Sequence, residues 1–390
     1  MIEWLHRVPS DRVFLRAEGR SWTYGETEDR VEALVQAGPV LAQPTLSPDS
    51  VFSLVAGLAG GGVTVVGPQA EVDEAADADL VVFTSGSTGA PKGVRLTRSN
   101  LEAAAAGSAQ HLGHGADDTW LLAMPIHHVG GLSIVVRQMY TGGAIEMLTG
   151  FDEKSLAAAL RGEVTMVSVV PTMLSRIIEH GPFSGLRAVL VGGGPIPDGL
   201  LERAASAGLP VLPTYGMTET FGQAATLKPG SPLDRKAHPL PGVEIRLEGD
   251  GRIALKGDQV SPGYAGEPDR ADPWFITNDL GSLDEDGAVR VMGRADTVIV
   301  TGGENVSPER VESVLRENPS IDELVVVGVP DREWGETIVC VYQGRAADLE
   351  EWARARLPGF MVPKRWVLVD SLPTTSLGKP DRGKARALAE

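Results

Sequence analysis

The chain has 390 residues, 42% of them hydrophobic, which is material for one large domain and one small one with buried cores. A formal net charge of −17, with no long Lys/Arg run, argues against nucleic acid and anionic membrane surfaces as partners, because both are gripped by basic faces. The single cysteine, Cys340, excludes a disulfide framework and a cysteine-based metal site, and its apolar run Ile338–Val341 reads as the setting of a buried, inert thiol.

Met1–Arg7 lacks the basic-then-apolar order of a signal peptide, and no apolar stretch reaches the roughly 18–20 residues of a membrane span, so the expected location is the cytoplasm. The first 82 residues are broken by Gly and Pro, with apolar runs at Val51–Leu58 and Val63–Val66. Leu80–Phe83 then reads as a buried strand entering a glycine-rich loop, and Ser99 or Asn100 as the N-cap of a helix over Leu101–His111. Strand-like runs follow at Trp120–Met124, Val164–Val170, Ala188–Val191 and Val211–Thr214. Between them lie helical patterns at Gly131–Tyr140, Lys154–Leu160, Pro171–Glu179 and Pro197–Ala207. This alternation predicts parallel α/β layers.

After Pro241 the pattern shortens: Val243–Leu247, Arg252–Lys256 and Ala288–Met292 alternate and are joined by Gly/Asp turns, predicting an antiparallel β subregion. From Gly302 onward a small α+β unit is expected, with helices at Pro308–Glu317 and Asp348–Arg356. Its strands are expected at Glu323–Val329, Glu336–Tyr342 and Arg365–Leu368.

The strongest chemical signal is Phe83-Thr84-Ser85-Gly86-Ser87-Thr88-Gly89-Ala90-Pro91-Lys92-Gly93. Its glycines permit tight turns whose N–H groups converge on an anion, and its hydroxyls and Lys92 add donors suited to terminal phosphates. It is not a Walker A loop, because Pro91 precedes Lys92 and Gly93 follows it. In Thr214-Tyr215-Gly216-Met217-Thr218-Glu219, a ring at a strand end can stack on a purine and a carboxylate can hold Mg²⁺. Gly192-Gly193-Gly194 follows another strand and lets a flat ligand approach the backbone, while the two acceptor oxygens of Asp279 suit a vicinal diol.

In this order the segments resemble the adenylate-forming superfamily of acyl- and aryl-CoA ligases, peptide-synthetase adenylation domains and luciferases. The resemblance implies ATP, Mg²⁺ and coenzyme A as co-substrates and metal, with a small-molecule carboxylic acid as the group activated. It assigns phosphate contacts to residues Thr84 through Gly89 and Lys92, adenine stacking to Tyr215, α-phosphate contact to Thr218 and metal binding to Glu219. Asp279 takes the ribose hydroxyls; Asn278 stands where the family usually has glycine, and Asn tolerates the positive φ expected there. Gly293-Arg294-Ala295-Asp296 matches the hinge, with Arg294 assisting ribose and phosphate and Asp296 as pivot. Leu372–Arg382 resembles the segment carrying the catalytic lysine, here Lys379, whereas Lys384 and Arg386 read as solvated.

His127-His128 is adjacent on a loop with no third ligand in view. The resemblance makes His128 the gate between the acyl pocket and the pantetheine channel. His127 and Ser133 are candidates for that pocket, as is Arg137, nine residues past His128 on a predicted helix, as the cation for a second substrate carboxylate; the alternative for Arg137 is a surface or interface residue. His111 and His114 read as incidental surface residues. The fold expected is α/β, with a large N-terminal domain of layered α/β sheets plus a β subregion, and a small mobile α+β C-terminal domain. The corresponding spans are 1–293, hinge 294–296 and 297–390. A short N-terminal region, the histidine pair and Gly131–Arg137 resemble compact 2-succinylbenzoate–CoA ligases of menaquinone synthesis. Another aryl- or acyl-CoA ligase, or a stand-alone adenylation protein loading a carrier protein, are the alternatives.

Overall fold

The structure, a computed structural model, describes residues 1–36, 45–67, 78–85, 91–150, 152–233, 236–345, 348–374 and 380–390, with the side chains of Ser85 and Asp198 excepted. Among them nine strands form the largest sheet. From one edge it runs His238–Pro239, Gly222–Thr226, Val211–Met217, Ala188–Val191, Met166–Val169, Thr119–Leu122, Ala144–Met147, Val13–Ala17 and Arg20–Thr23. The strands from Val211–Met217 through Val13–Ala17 are mutually parallel, and antiparallel pairs close both edges. Thr119–Leu122, Met166–Val169 and Ala188–Val191 are buried at every position, as expected of strands covered on both faces. Separate apolar cores line the two faces, one around Trp120, Leu122 and Met166, the other around Leu121, Val167 and Val189.

A second sheet pairs Leu80–Ser85 with Pro91–Leu96, flanked by Thr64–Val66 and Gly263–Tyr264. The glycine-rich segment is therefore bracketed by an antiparallel hairpin rather than followed directly by a helix; residues 86–90 lie outside the described residues. The helix Arg98–Leu112 begins earlier than predicted. Its cap is Thr97, whose hydroxyl accepts from the Asn100 N–H while the Asn100 side chain reciprocates at the third position.

Glu244–Leu247, Arg252–Lys256, Phe275–Leu283 and Val289–Arg294 form the predicted antiparallel subregion over its own core, which includes Leu240, Ile253 and Leu255. The C-terminal sheet joins Glu304–Val306, Ile299–Thr301, Gly335–Gly344 and Ile321–Asp331, with Arg365–Leu368 alongside. Apolar clusters cover both of its faces, and Cys340 is buried in one of them, where desolvation pushes its thiol pKa up. Arg382–Ala389 is a helix seated by Ala385 and Ala389. Lys384 and Arg386 are exposed, as expected of solvated tail residues, within reach of Asp381 and of Glu336 and Glu390 respectively. No described helix is long and apolar enough to cross a membrane.

Candidate active site

The loops at the C-terminal ends of the parallel strands open into a cleft of about 2480 Å³ shared with the β subregion and the C-terminal unit. Single-ligand sites hold roughly 300–1,000 Å³, so this cleft has room for more than one substrate. Lys92, Gly192–Gly194, Tyr215, Glu219, Asp279 and Arg294 line it together.

Tyr215 sits near the end of Val211–Met217 and donates its hydroxyl to Asp279 Oδ2 at 2.8 Å. Burial is the main reason that both groups hold their protons more tightly than usual. Asp279 is the cross-strand partner of Arg294, whose Nη1 lies 3.5 Å from Oδ1. Arg294 also grips Asp296 with two hydrogen bonds, Nε–Oδ1 at 2.9 Å and Nη2–Oδ2 at 2.8 Å, which raises the guanidinium pKa. The expected hinge residues therefore adjoin the expected ribose carboxylate directly. Asn278 lies inside the strand Phe275–Leu283 and has no positive φ, so a glycine there is not required for a left-handed turn, contrary to expectation. Its side chain instead approaches Asp296 Oδ2 at 3.5 Å.

At Gly216 any Cβ would lie 1.7 Å from the Gly222 carbonyl oxygen, so close pairing of Val211–Met217 with Gly222–Thr226 demands glycine. That pairing leads into the turn Thr218–Thr220, which presents Thr218 and Glu219 half-buried at the cleft. An oxygen donor of this kind fits Mg²⁺, which takes one or two protein carboxylates and completes its shell with phosphates and water. Thr84 and Lys92 stand opposite each other at the hairpin mouth, with Thr84 Oγ1 3.5 Å from the Lys92 carbonyl. Gly86, Ser87, Thr88, Gly89 and Lys379 lie outside the described residues, as does the Ser85 side chain. Pro380 and Asp381, which follow Lys379, line the cleft.

A second part of the cleft is built around the helix Val129–Thr141, whose N-cap is His128; the His127 and His128 rings lie 4.2 Å apart. Ser133 and Arg137 project from the same helix and both are buried, Arg137 to 3% exposure. The Arg137 guanidinium lies over Trp120, 5.2 Å from the ring centroid, and near Gly222. Among the described residues no carboxylate pairs with it, and burial alone draws its pKa from 12.5 down to about 9. Trp120 in turn donates to Ser168 Oγ at 3.2 Å and packs edge-on against His114.

His114 and His111 are not incidental surface residues. His114 is 5% exposed, and burial, with Arg137's charge second, holds its pKa near about 3, so the ring is neutral. His111 is half-buried and donates Nε2–H to the Thr226 carbonyl at 2.9 Å. Trp120, Ser168 and His114 carry no sequence signal of this neighbourhood, because it is assembled from the strand Thr119–Leu122, the loop before it and the distant strand Met166–Val169.

Comparison with known proteins agrees with this geometry. The sequence matches the AMP-binding enzyme family over residues 39–265 and the AMP-binding enzyme C-terminal domain over residues 310–379. It is 37% identical over 322 residues to a 2-succinylbenzoate–CoA ligase of Listeria monocytogenes, covering 78% of this chain and 69% of that protein. The fold is similar to o-succinylbenzoate CoA synthetase from Bacillus subtilis in complex with the acyl-adenylate intermediate OSB-AMP, with a TM-score of 0.87 and 26% identity over 99% of this chain and 97% of that one. The complex of that synthetase with ATP and magnesium ion gives a TM-score of 0.85 at 27% identity, over 98% of each chain. With more than half its length matched and the strand-end loops gathered around one cleft, the chain belongs to the AMP-binding enzyme family.

Proposed function

We propose that this chain is an AMP-forming 2-succinylbenzoate–CoA ligase of menaquinone synthesis, working in the cytoplasm. The observation that carries the choice of acid is Arg137, a buried cation at the cleft with no carboxylate partner among the described residues. An isolated buried charge is costly unless it is neutralised. 2-Succinylbenzoate brings two carboxylates, of which one is activated and the other is left to meet Arg137 beside His127 and Ser133.

In the first half-reaction one carboxylate oxygen attacks the α-phosphorus of ATP, the bond to the bridging oxygen breaks, and pyrophosphate leaves. Tyr215 stacks the adenine over Gly192–Gly194 and Gly216, Asp279 takes the ribose hydroxyls with Arg294 beside it, and Thr218 contacts the α-phosphate. Thr84 to Gly89 and Lys92 hold the β- and γ-phosphates. Mg²⁺ on Glu219 supplies neutralisation of the same charge when bound. Lys379 bridges carboxylate and α-phosphate, and holding the two together removes most of the entropic barrier. In the second half-reaction the sulfur of coenzyme A attacks the acyl carbon, the anhydride C–O bond breaks, AMP leaves and the thiol proton passes to solvent. Residues 297–390 turn about Asp296, within the hinge 294–296, to withdraw Lys379 from residues 1–293 and open the thiol path at His128.

The test is an acid panel scored by pyrophosphate release, followed by thioester analysis with free coenzyme A and with a carrier protein. Strong preference for 2-succinylbenzoate over benzoate, with free coenzyme A as acceptor, is expected. Equal turnover of both acids refutes the substrate, and acylation of the carrier alone refutes the acceptor.

A further inference from the structure

One side chain touches both charged groups of the expected phosphate site. The Tyr264 hydroxyl donates to Glu219 Oε1 at 2.8 Å, and Lys92 Nζ lies over the Tyr264 ring, 5.1 Å from its centroid. Strand register produces this placement. Gly263–Tyr264 pairs antiparallel with Pro91–Leu96 so that Tyr264 faces Val94, and Lys92, two residues away on the same face, is its diagonal neighbour. The same short segment holds the Glu219 backbone, since the Ser261 N–H donates to the Glu219 carbonyl at 2.7 Å. Ser261 is itself fixed by donating its hydroxyl to the Arg95 carbonyl at 2.6 Å.

We propose that Tyr264 is a positioning residue of the metal–phosphate site, resting on the reading above that Glu219 holds Mg²⁺ and Lys92 the terminal phosphates. A carboxylate and an ammonium that share one neighbouring side chain are each other's natural counter-charge, and pairing between them would withdraw both from the ligand. Tyr264 gives each of them another partner. Its hydroxyl occupies Oε1 and leaves the second oxygen of Glu219 for the cation, while its ring face keeps Lys92 over the strand. Partners that orient a metal-binding carboxylate are commonly worth 10–100-fold in metal affinity.

The test uses Tyr264→Phe, which keeps the ring, its packing and the Lys92 contact and removes only the O–H. Mn²⁺ binding to the full chain is titrated by electron paramagnetic resonance in the presence of α,β-methylene-ATP, which cannot undergo transfer, and AMP affinity is measured separately by calorimetry. The expected result is Mn²⁺ affinity about 10-fold weaker, with AMP affinity within about twofold of the parent chain. The double variant with Glu219→Gln should bind Mn²⁺ no more weakly than Glu219→Gln alone, because the hydroxyl acts through that carboxylate. Unchanged Mn²⁺ affinity in Tyr264→Phe, additive losses in the double variant, or a parallel fall in AMP affinity overturns the proposal. If Glu219→Gln binds Mn²⁺ as the parent chain does, it is the metal assignment of Glu219 that falls.

Discussion

Replacing Arg137 with Met should make the unliganded protein more stable and the enzyme less selective. The ordinary guanidinium value is 12.5, and burial holds Arg137 at about 9. That gap corresponds to about 5 kcal/mol of penalty on the charged form, at 1.36 kcal/mol for each tenfold step. The sign follows from linkage: the folded pKa lies below the unfolded one, so the unfolded chain binds more protons between those values and stability rises with pH there. Below about 9, the neutral range included, the folded state carries the full cost. Methionine fills similar volume without charge, and loss of the contact with Trp120 takes back about 1 kcal/mol. A net gain of about 1–4 kcal/mol in denaturant unfolding is therefore expected, the range found when buried ionic groups give way to apolar ones. In pyrophosphate-release assays the same variant should lose about 2–4 kcal/mol of kcat/KM for 2-succinylbenzoate, the scale of a broken buried charge pair. Benzoate turnover should barely move. A destabilised variant would mean that Arg137 is paid for within the fold, and equal losses for both acids would mean that it does not meet the second carboxylate.

Three further outcomes test the remaining assignments. Lys379→Ala should lower adenylate formation by several orders of magnitude while leaving thioester formation from preformed acyl-adenylate largely intact; comparable loss in both half-reactions refutes the two-site scheme. Asp296→Pro fixes φ near −65° and removes the carboxylate that Arg294 grips, so pyrophosphate release should persist while acyl-CoA output collapses. Unchanged acyl-CoA output would move the pivot elsewhere. His114 is neutral in the fold, so as pH falls from 6.5 towards about 3 the unfolded chain gains its proton first and stability drops. His114→Leu should abolish about 2 kcal/mol of that drop between pH 6.5 and 5 in urea unfolding.

Much of the fold was legible because local pattern and tertiary role agree. Runs such as Ala188–Val191 and Val211–Thr214 are apolar at almost every position, since parallel strands here are covered on both faces. The N-terminal region was not legible. Val13–Ala17 and Arg20–Thr23 complete the large sheet only by meeting Ala144–Met147, more than a hundred residues away, and no local signal announces such an edge. The helix Arg382–Ala389 was missed because its apolar face is only Ala385 and Ala389 in a basic stretch, a stripe too narrow to register as amphipathic. At residue 278 the family's glycine suggested a special backbone, yet the strand Phe275–Leu283 continues through it and Asn278 fits without strain.

The two halves of the cleft differ for a physical reason. Nucleotide recognition depends on backbone turns and the few residues beside them, so its determinants stay contiguous: Tyr215, Thr218 and Glu219 fall within five positions of one strand end. Acid recognition depends on what lies behind the first layer. Arg137 is legible as a cation on a predicted helix, but its meaning comes from Trp120 beneath it, Gly222 beside it and a neutral His114 behind, drawn from three separate elements. An arginine on the surface and an arginine at 3% exposure read identically in a sequence. Only burial separates a solvated charge from one that needs an anion. The argument from Arg137 therefore rests on desolvation, which the stability of the protein without substrate measures directly, while the acid panel decides which acid meets it.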